Sequence, residues 1–417
     1  MNVIRPQGAG AEEMRRDEAA RGLGCWVEVD MDALAHNARS IRQYLGDEKI
    51  FYGVVKANAY GCGIVECARC LVENGVDRLA VTHVSEGVQL RRSGIDAPIL
   101  VMAPFTAEEA GDLVRFGLTA SVSAVDRALL IAQEARRQGR RGLPVHIKVE
   151  TGLGRTGVVA SDAPLLVAAI VGQDELYLEG AFTHLATAAT GDVRHVHRQV
   201  ARFRETVAAM EAYAGFSIPV KHVANSAAAM AFPQYHFDGV RIGTLLYGQP
   251  AGPVAAGLAL RDVWRLKARV AHVSTLPPGH GVGYGRAFVT KRETQVAVLP
   301  VGYVDGYQLE PVSMPVSLWD LAKVLVKTSA AYFGLGPTAR SARIGERRAP
   351  VLGKVAMQMT MIDVTGIPDV QPGTVVQLPA RRTVVALNVP RVHVSAESTM
   401  LQRLGSERRE ERAAGLE

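Results

Sequence analysis

The chain has 417 residues, 48% of them apolar and 21% charged, the balance of an ordinary globular protein long enough for one large domain and a smaller one. Its 47 Lys and Arg against 41 Asp and Glu leave a net charge of +6, spread thinly along the chain. The basic run at 403–412 alternates with glutamates and reads as a solvated helical tail, so nucleic acid is not expected as a partner.

Residues 1–22 carry charges of both signs and no apolar segment, unlike a signal peptide. No apolar run reaches the roughly 18 residues that a membrane span needs. A cytoplasmic protein with no membrane partner is expected. A helix is predicted over 31–44, after the cap candidates Asp30 and Asp32. Short runs rich in Val, Leu, Ile or Phe follow at 51–56, 79–82, 98–102, 118–122, 145–150, 178–184, 219–224 and 239–243. Each reads as a strand buried on both faces. Helical patterns lie between them at 84–93, 107–116, 125–137, 163–171 and 195–214. Eight strands with helical crossovers fit a (β/α)8 barrel, an α/β fold. A doubly wound sheet would place its glycine-rich fingerprint at the turn after the first strand; the GxGxxG of this chain, GLGRTG at 152–157, follows the fifth predicted strand instead.

From about residue 262 the texture changes. Strands are expected at 266–275, 294–300, 349–355, 359–364 and 374–378, in a mostly β domain. The stretch 313–348 interrupts them with a short helix at 318–327 and a Gly/Pro/Arg-rich loop. The expected organisation is an extension over 1–23, the barrel over 24–262, the β-rich domain over 263–402 and the charged tail over 403–417. Cys62, Cys67 and Cys70 are spaced C-x4-C-x2-C, but the only other cysteine is Cys25. With no later partner to complete a cluster, they read as reduced loop and helix residues, and no metal site is expected.

Residues capable of chemistry fall at the carboxyl ends of several predicted strands: Lys56, Glu150 to Arg155, His184, Asn225, Ser226 and Arg241. Barrel enzymes build their sites there. A lysine ending a buried strand suits a Schiff-base former, because burial lowers its pKa. The glycines after it allow a ligand to approach the backbone closely.

The run VVKANAYGCG at 54–63 closely resembles the pyridoxal-phosphate (PLP) lysine motif of alanine racemases. Further blocks of that family follow in order: WVEVDMDALAHN (26–37), KVETGLGRTG (148–157), THLATA (183–188), HVANSA (222–227), VRIGTLLYG (240–248), GYGR (283–286), LPVGYVDGY (299–307) and GKVAM (353–357). The resemblance implies a PLP barrel followed by a β domain, and a homodimer with shared active sites acting on a small amino acid. It implies interconversion of L- and D-alanine by two bases, with D-alanine going mainly to bacterial cell-wall precursors. Lys56 would carry PLP and be one base. Tyr284 would be the other, reaching the partner subunit's barrel with help from His184 and Arg155. Arg241 would face the PLP ring nitrogen. Tyr60, Asn225, Ser226, Gly243 and Thr244 would surround the cofactor and its phosphate. Arg155 and the backbone N–H of Met357 would bind the substrate carboxylate. Lys148 matches a lysine that can be carbamylated, and Tyr303 would lie in the entrance corridor.

The pattern breaks at Cys62 (usually histidine), Glu150 (usually aspartate) and Gln358 (usually aspartate). No tyrosine in 389–400 matches the one that usually reaches the phosphate, and the stretch between Asp305 and Met357 is longer than usual. These departures leave open a racemase of serine or another amino acid. A PLP-binding homeostasis protein would have the barrel alone.

Overall fold

The computed structural model describes residues 19–251, 258–309, 318–332 and 341–396. The chain forms two compact units. One is Met31–Val263; in the other, residues up to Asp30 join those from Trp264 onward. Residues 1–18, the tail 403–417, and the parts 313–317 and 333–340 of the long stretch lie outside the described residues.

The first described strand, β1 (Cys25–Asp30), belongs to the second unit, whereas the motif reading set residues from 24 onward in the barrel. The barrel strands are β2 (Ile50–Val54), β3 (Arg78–Val81), β4 (Ile99–Val101), β5 (Thr119–Val122), β6 (Leu143–Lys148), β7 (Leu176–Phe182), β8 (Val220–His222) and β9 (Gly239–Ile242). Each overlaps one of the predicted apolar runs. They form one sheet in the order 8-7-6-5-4-3-2-9, and every pairing is parallel. The seam is closed by a lone bridge between Asn225 and Arg241, whose N–H donates to Ala224 O at 2.9 Å.

The helices are α1 (Met31–Leu45), α2 (Ile64–Glu73), α3 (Val84–Arg92), α4 (Ala110–Arg115), α5 (Val125–Arg137), α6 (Ala163–Val171), α7 (Val193–Ala214) and α8 (Ser226–Ala231). Their apolar residues recur at helical spacing. In α2, Ile64, Cys67, Ala68 and Leu71 form the buried stripe. Burying Ile64 or Leu71 contributes roughly 1.5–3 kcal/mol. Inside the barrel, Tyr52, Val54, Ala80 and Leu100 form one apolar cluster. All four cysteines are free, with Cys67 and Cys70 on α2 as expected.

In the second unit β10 (Trp264–Arg269), β11 (His272–Leu276), β12 (Gly281–Val282), β13 (Phe288–Val289) and β14 (Thr294–Leu299) follow. After them come helix α9 (Leu318–Tyr332), β15 (Ser341–Ile344), β16 (Arg347–Leu352), β17 (Thr360–Asp363), β18 (Val375–Leu378) and β19 (Arg391–Val394). Nine strands form one sheet in the order 11-14-17-16-15-18-10-1-19. The expected single strand 266–275 is two strands, because the chain leaves β10 to pair β11 with β14. Part of the expected loop before 348 is the antiparallel pair β15–β16. β1 is fixed here by Trp26, Val27 and Val29, all fully buried. Its Glu28 bonds Lys267 Nζ at 2.6 Å and Arg265 Nη1 at 3.2 Å, both on β10. No helix among the described residues is long and apolar enough to cross a membrane.

Candidate active site

Lys56 follows β2 and opens a left-handed turn. Ala57, Asn58, Ala59 and Tyr60 all have φ near +53°, a conformation costing L-residues roughly 1–2 kcal/mol each. The surroundings hold it in place. Asn58 Oδ1 accepts from Ile64 N at 2.9 Å, and Asn58 O from Gly63 N at 3.0 Å. Glu86, on α3, accepts from Ala57 N at 2.6 Å with one oxygen and from Thr82 N and His83 N with the other. This carboxylate ties the lysine turn to the loop after β3. Burial, and then Arg155, lower the Lys56 pKa; Glu86 opposes them.

Four cations bear on one imidazole. Burial pushes His184 from 6.5 down to about 3, aided by Arg241, Arg155, Lys148 and Lys56 in that order. Burial and the same arginines bring Lys148 down to about 8; its ammonium donates to Met102 O at 3.2 Å. Arg155 is exposed on the loop after β6. Glu150 gives that loop its shape by accepting from Leu153 N at 2.8 Å and Gly154 N at 3.0 Å.

Arg241 is 3% exposed, and no carboxylate pairs with it among the described residues. Nη1 donates to His222 Nδ1 (2.7 Å) and His222 O; Nη2 donates to Thr183 O (2.7 Å) and Val223 O. Since a guanidinium only donates, His222 must accept at Nδ1 and carry its proton on Nε2. That proton points at His146 Nδ1, 2.9 Å away, and His146 Nε2 in turn donates to Glu179 at 2.9 Å. Arg78 pairs with Glu179 at 2.8 Å. The chain Arg241–His222–His146–Glu179–Arg78 is a polar row in which each hydrogen-bond direction is set.

Close to this row, Gly243 N donates to Ser226 Oγ at 2.9 Å. Any β-carbon at residue 243 would stand 2.2 Å from the Tyr60 hydroxyl, so only glycine lets that hydroxyl reach the backbone here. Thr244 begins a 3-10 turn, and Asn225 caps α8 by accepting from Ala228 N. Tyr284, Tyr303 and Met357 belong to the second unit and are 77%, 43% and 57% exposed. Tyr284 lies on the turn between β12 and β13. Tyr303 N and Val304 N donate to the carbonyls of Ala356 and Met357, which fixes those two loops against each other. Gln358 is exposed beside them.

The alanine racemase N-terminal domain family matches residues 29–250, and the alanine racemase C-terminal domain family matches 263–404. The chain belongs to the alanine racemase family. It is 35% identical over 356 residues to an alanine racemase of a Nostoc species, covering 85% of this chain and 86% of that one. It is 36% identical over 349 residues to that of Desulforamulus reducens, covering 83% and 87%. Among solved structures, the alanine racemase of Clostridium difficile superposes with a TM-score of 0.78 at 26% identity, covering 90% of this chain and 96% of that one. That of Streptomyces coelicolor gives 0.77 at 28%, covering 91% and 99%.

Alanine racemases depend on PLP, and the barrel suits such a group. Lys56, Lys148, Arg155 and Arg241 crowd one imidazole, a charge excess that favours an anion. Among the described residues, Nε of the buried Arg241 has no partner. Glu86, Glu179 and His222 were not singled out in the sequence. Glu86 carried a signal, since a glutamate three residues after the start of a helix is half of a capping box.

Proposed function

We propose that the protein is a PLP-dependent alanine racemase that interconverts L- and D-alanine. What carries this reading is Lys56 at the carboxyl end of β2 in a barrel of this family, with the Arg155 loop, His184 and Arg241 at the carboxyl ends of β6, β7 and β9. When bound, PLP makes the α-proton of the amino acid removable by delocalising the electron pair left behind. Lys56 holds the cofactor and is one acid–base group; its lowered pKa favours the neutral amine that accepts a proton. Tyr284 is the second group, on the opposite face. His184, neutral down to about pH 3, serves as a hydrogen-bond partner for the phenol, so the cationic help falls to Arg155.

Arg241 would face the ring nitrogen of the cofactor and, always charged, would disfavour a proton there. This would make the bound ring a weaker electron sink and suppress side reactions. Tyr60, Ser226, Asn225 and the N–H groups at Gly243 and Thr244 hold the phosphate. Arg155 and Met357 N hold the substrate carboxylate, and Tyr303 lines the way in. Lys148, lowered to about 8, is the amine placed to be carbamylated beside Arg155. The working form is a homodimer in the cytoplasm, and its product D-alanine goes to cell-wall synthesis.

Purified, PLP-loaded protein incubated separately with L-alanine, L-serine and L-lysine tests this by chiral chromatography. D-alanine should form fastest, and Lys56→Ala and Tyr284→Phe should each lose at least about a hundredfold in rate. No D-product from any of the three, with PLP still bound, would sink the reading.

A further inference from the structure

We infer that one face of α7 is a clamp that positions the loops carrying Arg155 and His184; the inference rests on the racemase reading above. None of the roles above uses α7. Its residues His195, Gln199 and Arg202 are spaced i, i+4, i+7, so they lie along one face. All three reach the loop after β6. His195 Nε2 donates to Gly152 O at 3.0 Å, Gln199 Nε2 donates to Thr151 Oγ1 at 3.1 Å, and Arg202 Nη1 donates to Thr151 O at 3.2 Å. A β-carbon on Gly152 would stand 3.0 Å from the His195 ring, and Gly152 has φ +136°, so glycine permits the approach.

Gln199 is the centre of the clamp. It is fully buried, and among the described residues its side-chain amide bonds to these two loops. Besides Thr151 it donates to His184 O at 3.1 Å, and its Oε1 accepts from Ala186 N at 2.9 Å. The Ala186 N–H fixes which end of the amide is oxygen, so Nε2 must face Thr151 and His184. The Thr151 hydroxyl, which accepts from Nε2, also hydrogen-bonds the Thr183 hydroxyl at 2.8 Å and ties β6's loop to the end of β7. A buried glutamine often only satisfies its own helix. This one makes its bonds to the residues flanking Arg155 and His184. Glu150 braces the same loop from within through Leu153 N and Gly154 N. With both sides held, Arg155 meets a substrate carboxylate from a preset loop, and loosening the loop should weaken substrate binding more than chemistry.

Two variants test the clamp. Gln199→Met keeps length and volume but removes every bond of the amide. The double variant His195→Ala/Arg202→Met removes the outer holds without touching the core. Read-outs are hydrogen exchange of a peptide covering 150–157, KM and kcat for L-alanine, PLP affinity and Tm. For Gln199→Met, exchange in that peptide should quicken and KM should rise about tenfold, with kcat falling by a smaller factor and PLP affinity within about twofold. The double variant should move KM the same way by about threefold at unchanged Tm. Unchanged exchange in both variants overturns the clamp. So does faster exchange with unchanged KM, or a joint loss of kcat and PLP affinity without a KM change. Should the wild type not racemise alanine, the functional reading fails on its own, while exchange still reports whether α7 holds the loop.

Discussion

His184 shows how far a single side chain departs from its ordinary chemistry when cations surround it. In the unfolded chain it takes up a proton near 6.5, but in the fold only near 3. Between these values the unfolded state holds more protons, so this residue's contribution to stability is present above 6.5 and is lost as the pH falls toward 3. His146 and His222, also buried and lowered, act with the same sign. His184→Asn should therefore lose less stability than wild type between pH 7.5 and pH 4.5, by at most about 1.4 kcal/mol per pH unit. Denaturant titrations of cofactor-free protein at the two pH values decide it; equal losses would mean that His184 is not among the groups that resist protonation. In the sequence this histidine was visible as a chemical residue at a strand end, as were Lys56 and Arg241. Gln199 was not, because a polar residue within a helix looks the same whether it faces water or a loop, and Glu86 showed only as half of a capping box, with nothing to tie it to Lys56. Only the fold brings Glu86 to Ala57 N, 29 positions away, and Gln199 to Thr151, 48 away.

Among elements, the buried parallel strands were the most legible, since both faces are apolar and the run stands out from its flanks. β1 hid its partners. Its fourth residue is a glutamate, Glu28, which is 1% exposed and pairs with an arginine and a lysine more than 230 positions later. No local pattern encodes such a pairing, so the strand was read by motif and set in the wrong unit. The same pairing makes β1 a weak point of the sheet. Glu28→Gln leaves Lys267, itself 8% exposed, facing a neutral group. The variant should lose about 3 kcal/mol in urea unfolding. Glu28→Met/Lys267→Met removes both charges and should recover most of that loss; a double variant as unstable as the single one would put the cost in packing instead. The break between β10 and β11 was missed for a related reason: apolar residues run straight through it, and only the change of partner from β18 to β14 marks two strands.

At the scale of the molecule, the two proposed bases lie in different compact units, and Tyr284 is 77% exposed on its own. A proton acceptor left in water gains nothing from the barrel's cations, so the proposed function requires something to bring a Tyr284 to a Lys56. Two arrangements do this. Either one chain supplies both groups to its own site, or each chain of a homodimer lends its tyrosine to the other. Mixing two inactive variants distinguishes them. Lys56→Ala and Tyr284→Phe are unfolded together, refolded as a mixture and loaded with PLP. If sites are shared between subunits, random pairing gives half mixed dimers, each with one intact site out of two, and about a quarter of wild-type activity returns. If each chain builds its own site, every site in the mixture lacks one base and activity stays at the level of the parent variants. Recovery that falls on dilution, in step with dissociation measured by sedimentation, would tie the activity to the pair of chains rather than to either one.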